Sequence, residues 1–369
     1  MSQTMIEVIG LDDRFHHAVE LSLKGDNAGA IATLEQVLEQ QPELWEGWIE
    51  KGKALSHLGD ISNAIACFEQ AIQLQPKAAV PHYSLGWIAY TMGQYEAALS
   101  SFRTALSFEP NWVEACYSTG LALYALGQYE VAIGHFHRSL ENRPNCPDTW
   151  FCQGFCLYAT HRYEGAVQHF SHALELQPTF REAFLGRGDA LKELGDYEAA
   201  IASYDKALKL NADDADALLR KAACLKQAGK LQNAGAVYQQ ISQIQPDHWE
   251  AWYGLAGVQL KLGSFAAAIA SYDRVLNLNP DSYEAWFNRG VALKNINCLP
   301  DAVASYDRAL ELRPDDHRAW NNRGGTLVNM GRLADAIACF DKVLELNPND
   351  IKAKQNRTIL QKRLEASDQ

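Results

Sequence analysis

Histidines and cysteines are concentrated between residues 135 and 172, where their side chains could bind a metal ion. Cys152 and Cys156 are four residues apart and would share one face of a helix, a spacing found in metal sites. The whole group consists of His135, His137, Cys146, Cys152, Cys156, His161, His169 and His172. A zinc site needs four convergent ligands, whereas Cys156 falls at a helix-packing position and the histidines fall on other helices. We therefore interpret the cysteines as buried packing residues and predict no metal and no cofactor.

The sequence also lacks the patterns that carry catalysis. It contains no glycine-rich phosphate loop after a strand, no nucleophile elbow and no His-Glu-x-x-His motif. Carboxylates recur at the start of successive predicted helices, where they favour the helix dipole and do not form an acid–base pair. We therefore predict that the chain is not an enzyme.

The positions of the prolines predict the secondary structure that carries these residues. Nine of the twelve prolines stand in one register with a period of 34 residues, and the single missing place holds Ala212. The nine are Pro42, Pro76, Pro110, Pro144, Pro178, Pro246, Pro280, Pro314 and Pro348. Such a period is the sequence signature of a solenoid built from identical supersecondary repeats.

When the register proline is numbered as the thirty-second residue, every 34-residue repeat has the same residue types at several fixed positions. The eighth position is Gly or Ala, the twentieth is always Ala, and the twenty-fourth is large and mostly aromatic. The fifteenth position is Gly in eight of ten repeats, with His161 and Asn297 as the exceptions. This pattern predicts two short amphipathic helices that cross closely at the small residues and are joined by a turn at the fifteenth position.

The pattern resembles the tetratricopeptide repeat family, whose helix–turn–helix repeat has Trp, Gly, Ala, aromatic and Pro residues at these places. The family's Trp position is occupied by Trp48, Trp150, Trp252, Trp286 and Trp320. Strings such as Ala-Trp-Phe-Asn-Arg-Gly, at 285–290, are similar to bacterial and particularly cyanobacterial members. The resemblance implies an all-α, right-handed superhelical solenoid of ten repeats with a C-terminal capping helix.

The register sets the expected boundaries. Residues 1–10 are expected to be an N-terminal tail, and residues 351–369 a capping helix with a frayed end, in which Ile359 and Leu364 cover the last repeat. The ten repeats between them are 11–44, 45–78, 79–112, 113–146, 147–180, 181–214, 215–248, 249–282, 283–316 and 317–350.

The resemblance further implies that the first helices of successive repeats line a concave groove. The third to fifth repeats then present an aromatic set, which consists of Tyr83, Trp87, Tyr90, Tyr117, Tyr124, Phe151, Phe155 and Tyr158. Exposed rings are typical anchors for a bound peptide, although some of these rings could instead pack against neighbouring helices.

Later repeats present a second, mostly basic set at the same positions, which consists of Lys192, Arg220, Lys226, Lys261, Lys294, Asn288 and Asn322. These side chains could form a site for an acidic peptide or simply be a solvated polar face. Two known binding patterns of the family do not fit the sequence. The carboxylate clamp of chaperone-binding members requires Lys at the fifth position, which never holds it here, and the asparagine ladder at the sixth position has only Asn288 and Asn322.

Charge and composition limit the partners further. The formal net charge is −12, and residues 1–180 carry 9 Lys and Arg against 20 Asp and Glu. This balance argues against nucleic acid. No membrane span or secretory signal is expected, so the predicted location is the cytoplasm.

Together these features predict a non-catalytic scaffold or adaptor. It would bind an extended or helical peptide segment of a protein partner in its groove. The alternatives are a structural self-association module and a regulatory or substrate-recruiting subunit of an enzyme encoded elsewhere.

Overall fold

The computed structural model describes the backbone of residues 3–367 and the side chains of residues 12–366. Within this range the chain forms 21 α-helices and no strand, which confirms the predicted all-α fold. The helices are α1 (Gln3–Leu23), α2 (Asn27–Gln40), α3 (Trp45–His57), α4 (Ile61–Leu74), α5 (Ala79–Thr91), α6 (Tyr95–Phe108), α7 (Val113–Ala125), α8 (Tyr129–Asn142), α9 (Pro147–Ala159), α10 (Tyr163–Leu176), α11 (Arg181–Glu193), α12 (Tyr197–Leu210), α13 (Ala215–Gln227), α14 (Leu231–Ile244), α15 (Trp249–Lys261), α16 (Phe265–Leu278), α17 (Tyr283–Asn295), α18 (Leu299–Leu312), α19 (His317–Asn329), α20 (Leu333–Leu346) and α21 (Ile351–Ser367).

The chain divides into two compact units, of which the first ends at Ala190 and the second begins at Leu191, within α11. Within each unit the helices form hairpins, such as α5 with α6 and α17 with α18, and consecutive hairpins of the same unit pack on one another. Helix α1 begins at Gln3, so it includes most of the segment assigned above to an N-terminal tail.

Small residues allow the two helices of a hairpin to cross closely. A Cβ atom added to Gly120 would lie 2.6 Å from the ring of Phe136, and one added to Gly290 would lie 2.7 Å from the ring of Tyr306. The alanine at the twentieth position, such as Ala132, has no exposed surface in any repeat. The predicted close crossing is therefore confirmed, and an aromatic ring from the second helix fills the space beside it.

The turn inside each hairpin requires left-handed backbone geometry. At Gly59, φ is +85°, the Gly59 amide donates to the Ser56 carbonyl, and the Asp60 amide donates to the Leu55 carbonyl. His161 and Asn297 keep the same geometry without being glycine, with φ of +60° and +63°. The left-handed backbone geometry of this turn is thus imposed by the packing of the hairpin, whichever residue stands at the fifteenth position.

Consecutive hairpins are joined by a bond that links the Trp and Pro positions. The indole N–H of each such Trp donates to the carbonyl of the register Pro six residues earlier. The pairs are Trp48 with Pro42 (2.8 Å), Trp150 with Pro144 (2.7 Å), Trp252 with Pro246 (2.9 Å), Trp286 with Pro280 (2.8 Å) and Trp320 with Pro314 (2.8 Å). Each bond gives a carbonyl beyond the end of a helix a partner, and it fixes the entry of the next helix.

The C-terminal helix covers the last hairpin with residues other than those expected. Ile359 is 50% exposed, so the prediction that it covers the last repeat was wrong, and Leu364 is half-buried. Ala353 and Leu360 are buried in the cluster that contains Phe340. These two residues continue the third and tenth repeat positions, which are buried in the preceding first helices.

Candidate functional site

The predicted aromatic set lies on α5, α7 and α9 of the first compact unit. Its eight rings differ strongly in exposure. Seven are half-buried, whereas Trp87 is 41% exposed. Trp87 is therefore the one ring of this set that is open to solvent, whereas the other seven are partly covered by neighbouring side chains.

Three of the rings stand at the fifth position and lie on the buried ring of the second helix. The ring centroids of Tyr83 and Phe102 are 5.5 Å apart, and those of Tyr117 and Phe136 are 5.9 Å apart. Phe151 lies on Phe170 in the same way, at 5.7 Å. Each ring thus covers the close helix crossing, and its removal would cost stability as well as any binding.

Three tyrosines at the twelfth position form a repeated motif with partners that the sequence analysis missed. The pairs are Tyr90 with Tyr95 (5.4 Å between centroids), Tyr124 with Tyr129 (5.7 Å) and Tyr158 with Tyr163 (5.5 Å). The partners all stand at the seventeenth position, just after the turn. Because tyrosine recurs at this position in three successive repeats, the sequence could have predicted these pairs.

One of these tyrosine pairs also contacts the ring at the ninth position of a neighbouring helix. Tyr124 on α7 meets Phe155 on α9 edge-on, with 5.4 Å between centroids. Burial raises the pKa of Tyr90 and raises that of Tyr124 to about 12. Both hydroxyls are therefore protonated at neutral pH and can donate hydrogen bonds. We call Trp87, Tyr90, Tyr124, Phe155 and Tyr158 the aromatic surface.

A cavity of about 350 Å³ lies beside Trp87. Its lining residues are Lys53, Ser56, His57, Phe68, Val80, Tyr83, Ser84, Trp87, Ile88 and Trp112. Trp87 stacks on Tyr90 with 5.6 Å between centroids and 19° between planes, so its orientation is fixed although one face is open. Trp112, which the sequence analysis did not select, lies 4.6 Å from Tyr83 in the same wall. The arrangement offers an apolar recess with a polar rim.

Cys152 and Cys156 pack against neighbouring side chains of the first compact unit. Cys156 is fully buried, and Cys152 contacts the Tyr117 hydroxyl through a hydrogen bond. Burial raises the pKa of each of these two thiols to about 12, so the free thiols are protonated at neutral pH. Burial also lowers the pKa of His135 and of His169. Among the residues described, no three His, Cys, Asp or Glu side chains converge as a metal site would require.

The predicted basic set lies in the second compact unit and is partly neutralised by neighbouring acids. Lys192 Nζ lies 3.0 Å from Glu193, and Arg220 lies 2.8 Å from Asp216. The amide of Asn322 donates to the Arg318 carbonyl of its own helix, and Asn288 bonds to the Tyr253 hydroxyl. Lys226 and Lys294 are half-buried and Lys261 is exposed. This face presents less free positive charge than its composition indicates.

None of the helices within residues 3–367 has the length and apolar character needed to cross a membrane.

Family profiles cover most of the chain. Tetratricopeptide repeat profiles match residues 21–79, 117–179, 225–288, 283–316 and 317–350, and a TPR repeat profile matches residues 188–227. A profile described as anaphase-promoting complex, cyclosome, subunit 3 matches residues 57–136. The chain matches no curated protein sequence.

Solved structures resemble the chain at low sequence identity. The C-terminal part of a TPR repeat-containing protein from Cytophaga hutchinsonii is 19% identical and has a TM-score of 0.59, with 65% of this chain and 98% of that chain covered. YrrB, described as a TPR protein with an unusual peptide-binding site, is 23% identical with a TM-score of 0.47, covering 52% and 99%. Naa15/Naa10 bound to HypK-THB is 16% identical with a TM-score of 0.45, covering 96% and 66%.

The profile matches together span more than half of the chain, and they agree with the 34-residue period and with the helix hairpins. The chain belongs to the tetratricopeptide repeat family.

Proposed function

We propose that this protein is a non-catalytic interaction module that binds a peptide segment of a partner protein on its aromatic surface. The observation that carries the proposal is the exposure of Trp87, 41%, beside an apolar cavity. A large ring that is open to solvent and borders a recess is a common anchor in protein interfaces. Tetratricopeptide repeats are typically non-catalytic interaction modules, which agrees with this role.

The geometry favours binding because Trp87 is already oriented. Its stacking on Tyr90 holds the indole before a ligand arrives, so little side-chain entropy remains to be lost on binding. The hydroxyls of Tyr90 and Tyr124 are protonated and can donate to the backbone carbonyls of a peptide.

The cavity indicates which part of a peptide would enter. Its walls include Val80, Ile88 and Trp112, which suit one large apolar or aromatic side chain. On the rim, Lys53 Nζ lies 2.7 Å from Glu50, so its charge is already partly compensated. We therefore infer that an apolar side chain supplies the main contact and that polar flanks add selectivity.

The proposal can be tested with peptides selected from a displayed library on the full-length chain. Trp87→Ala should weaken the selected peptides by about tenfold or more, because a central aromatic anchor contributes roughly 2 kcal/mol. Its melting temperature should stay close to that of the parent, since the ring is exposed. Trp249, which is 37% exposed in the second compact unit, provides a matched control, and Trp249→Ala should leave peptide affinity unchanged.

Two results would overturn the proposal. One is equal loss of affinity in the Trp87 and Trp249 variants, which would remove any special role of the aromatic surface. The other is a mass in light scattering that rises with protein concentration and returns to the monomer value in Trp87→Ala. That result would identify a second copy of this chain as the occupant and support the self-association alternative.

A further inference from the structure

A second cavity, of about 520 Å³, lies among α8, α9 and α10 in the first compact unit. It is lined by His137, Leu140, Glu141, Trp150, Gln153, Gln168, His169 and His172. We call it the Trp150 groove. None of its residues belongs to the predicted peptide site.

Trp150 is held like the other tryptophans of its repeat position, but it differs in what covers its ring. Four of the five rings have a cation of this chain above them. These contacts are Lys51 over Trp48 (5.8 Å), Arg274 over Trp252 (5.7 Å), Arg289 and Arg308 over Trp286 (5.8 and 5.9 Å) and Arg323 over Trp320 (5.8 Å). Trp150 instead contacts the imidazoles of His169 and His172, with centroids 5.1 and 4.8 Å away. His172 occupies the repeat position that holds Arg274 and Arg308.

At the seventh repeat position, too, the Trp150 groove lacks a cation that other repeats have. In four repeats this position holds a cation that pairs with an acid of the preceding second helix. The pairs are Lys51 with Glu35 (2.9 Å), Lys221 with Asp205 (2.7 Å), Arg289 with Asp273 (2.6 Å) and Arg323 with Asp307 (2.6 Å). In the Trp150 groove the two positions hold Gln153 and His137. The Trp150 groove therefore has the same tryptophan as the corresponding sites of other repeats, but no Lys or Arg within residues 12–366 lies over its ring.

Polar groups in the groove suit a donor-rich cation. Gln153 is 3% exposed, and its amide nitrogen donates to the Ile133 carbonyl. Its Oε1 atom is buried and has no hydrogen-bond partner among the residues described. The Glu141 carboxylate is exposed at the rim and lies 3.5 Å from His137. Gln153, the Glu141 carboxylate and the Trp150 ring thus line the same space.

From this comparison we propose that the Trp150 groove binds the guanidinium group of an arginine side chain from a partner protein. The guanidinium would lie against Trp150, as Arg289 and Arg323 do against their own tryptophans, and would donate toward Glu141 and Gln153. A planar group with five N–H donors fits this combination better than an ammonium group, which stacks poorly and is more strongly hydrated.

The test uses the full chain labelled with ¹⁵N at its nine tryptophans, with the Trp150 indole signal assigned by its loss in Trp150→Phe. The probes are L-arginine amide, L-lysine amide and L-citrulline amide. Arginine amide should shift the Trp150 signal saturably, lysine amide should bind roughly fivefold more weakly, and the uncharged citrulline amide should not saturate. Equal shifts with arginine and citrulline amides would overturn the proposal, and equal affinity for arginine and lysine amides would overturn the assignment to guanidinium.

Two variants test whether arginine amide binds at the Trp150 groove and not elsewhere on the protein. His172→Arg restores the cation of the related repeats at a side chain that is 55% exposed, so the fold should tolerate it. It should reduce arginine amide binding by roughly fivefold or more. Ser100→Arg adds the same charge at an exposed position of α6 outside the groove and should leave binding unchanged. Unaltered binding in His172→Arg, or equal loss in both variants, would contradict a site at Trp150.

Discussion

At the scale of single residues, the sequence predicted a set of aromatic side chains but not how exposed each of them is. Trp87 and Tyr117 both belong to the predicted aromatic set, yet only Trp87 is open to solvent. The difference arises because the fifth position meets the ring of the second helix across a close crossing, as Tyr117 meets Phe136. Such a contact depends on the distance between helices, which the spacing of residues along the chain does not give.

Asp316 shows how one carboxylate can hold two hairpins together. It caps the N-terminus of α19 and accepts hydrogen bonds from the Arg318 and Ala319 amides, at 2.7 and 3.3 Å. The Tyr283 hydroxyl donates to its other oxygen at 2.5 Å, and the Arg318 guanidinium lies 3.0 Å away. Burial alone would raise the pKa of Asp316, but the bonds from Arg318 and Tyr283 outweigh it and lower the pKa well below its usual range.

Asp316→Asn should therefore destabilise the protein in a pH-dependent way. A carboxyl whose pKa is lowered by folding contributes stability above its unfolded pKa, about 3.9, and loses that contribution as pH falls toward its folded pKa. Asn keeps a capping oxygen but loses the charge, so the loss at pH 7 should be about 1–2 kcal/mol. Urea unfolding of both proteins should show this difference at pH 7 and a shrinking one below about pH 4. A difference that stays constant down to pH 2.5 would contradict this account.

At the scale of helices and turns, the 34-residue period predicted the structure more completely than it did at the scale of single site residues. It placed the hairpins and their turns because small and apolar residues recur at fixed positions, and because proline cannot continue a helix. The same pattern could also have predicted which residue of α21 covers the last repeat, which the sequence analysis assigned wrongly to Ile359. Leu360 continues the tenth position, which is occupied by buried residues such as Cys156 and Cys224 in earlier repeats. Hydrophobicity alone does not separate Ile359 from Leu360, whereas the repeat register does.

The turn at His161 provides a test of this element. A non-glycine residue at φ of +60° pays a steric cost that glycine does not, partly offset here by the 2.7 Å bond between His161 Nδ1 and the Tyr163 hydroxyl. We expect His161→Gly to stabilise the protein by about 0.5–1 kcal/mol. Asn297→Gly is the matched comparison and should gain less, since Asn tolerates this geometry better.

The measurement is the midpoint of urea unfolding for both variants and the parent. A lower midpoint in His161→Gly would show that the histidine–tyrosine bond outweighs the backbone strain at this turn.

At the scale of the whole molecule, charge is distributed unevenly along the sequence. Residues 1–180 carry a net charge of −11, from 9 basic and 20 acidic residues, while the full chain carries −12. The aromatic surface lies entirely within this acidic part. A field of this sign should attract cationic peptides and act on the rate of encounter more than on the lifetime of the complex.

We therefore expect a peptide with basic residues flanking an apolar centre to associate fastest at low salt. Its association rate constant should fall roughly tenfold between about 20 and 500 mM salt, because the screening length shortens over that range, while its dissociation rate should change little. Stopped-flow tryptophan fluorescence can measure both rates. A peptide with the same apolar centre and acidic flanks serves as the control and should associate more slowly at low salt, with a rate that rises as salt is added. If the acidic peptide associated faster at low salt, the local rim of Lys53 and His57 would govern encounter, and the charge of the surrounding chain would not.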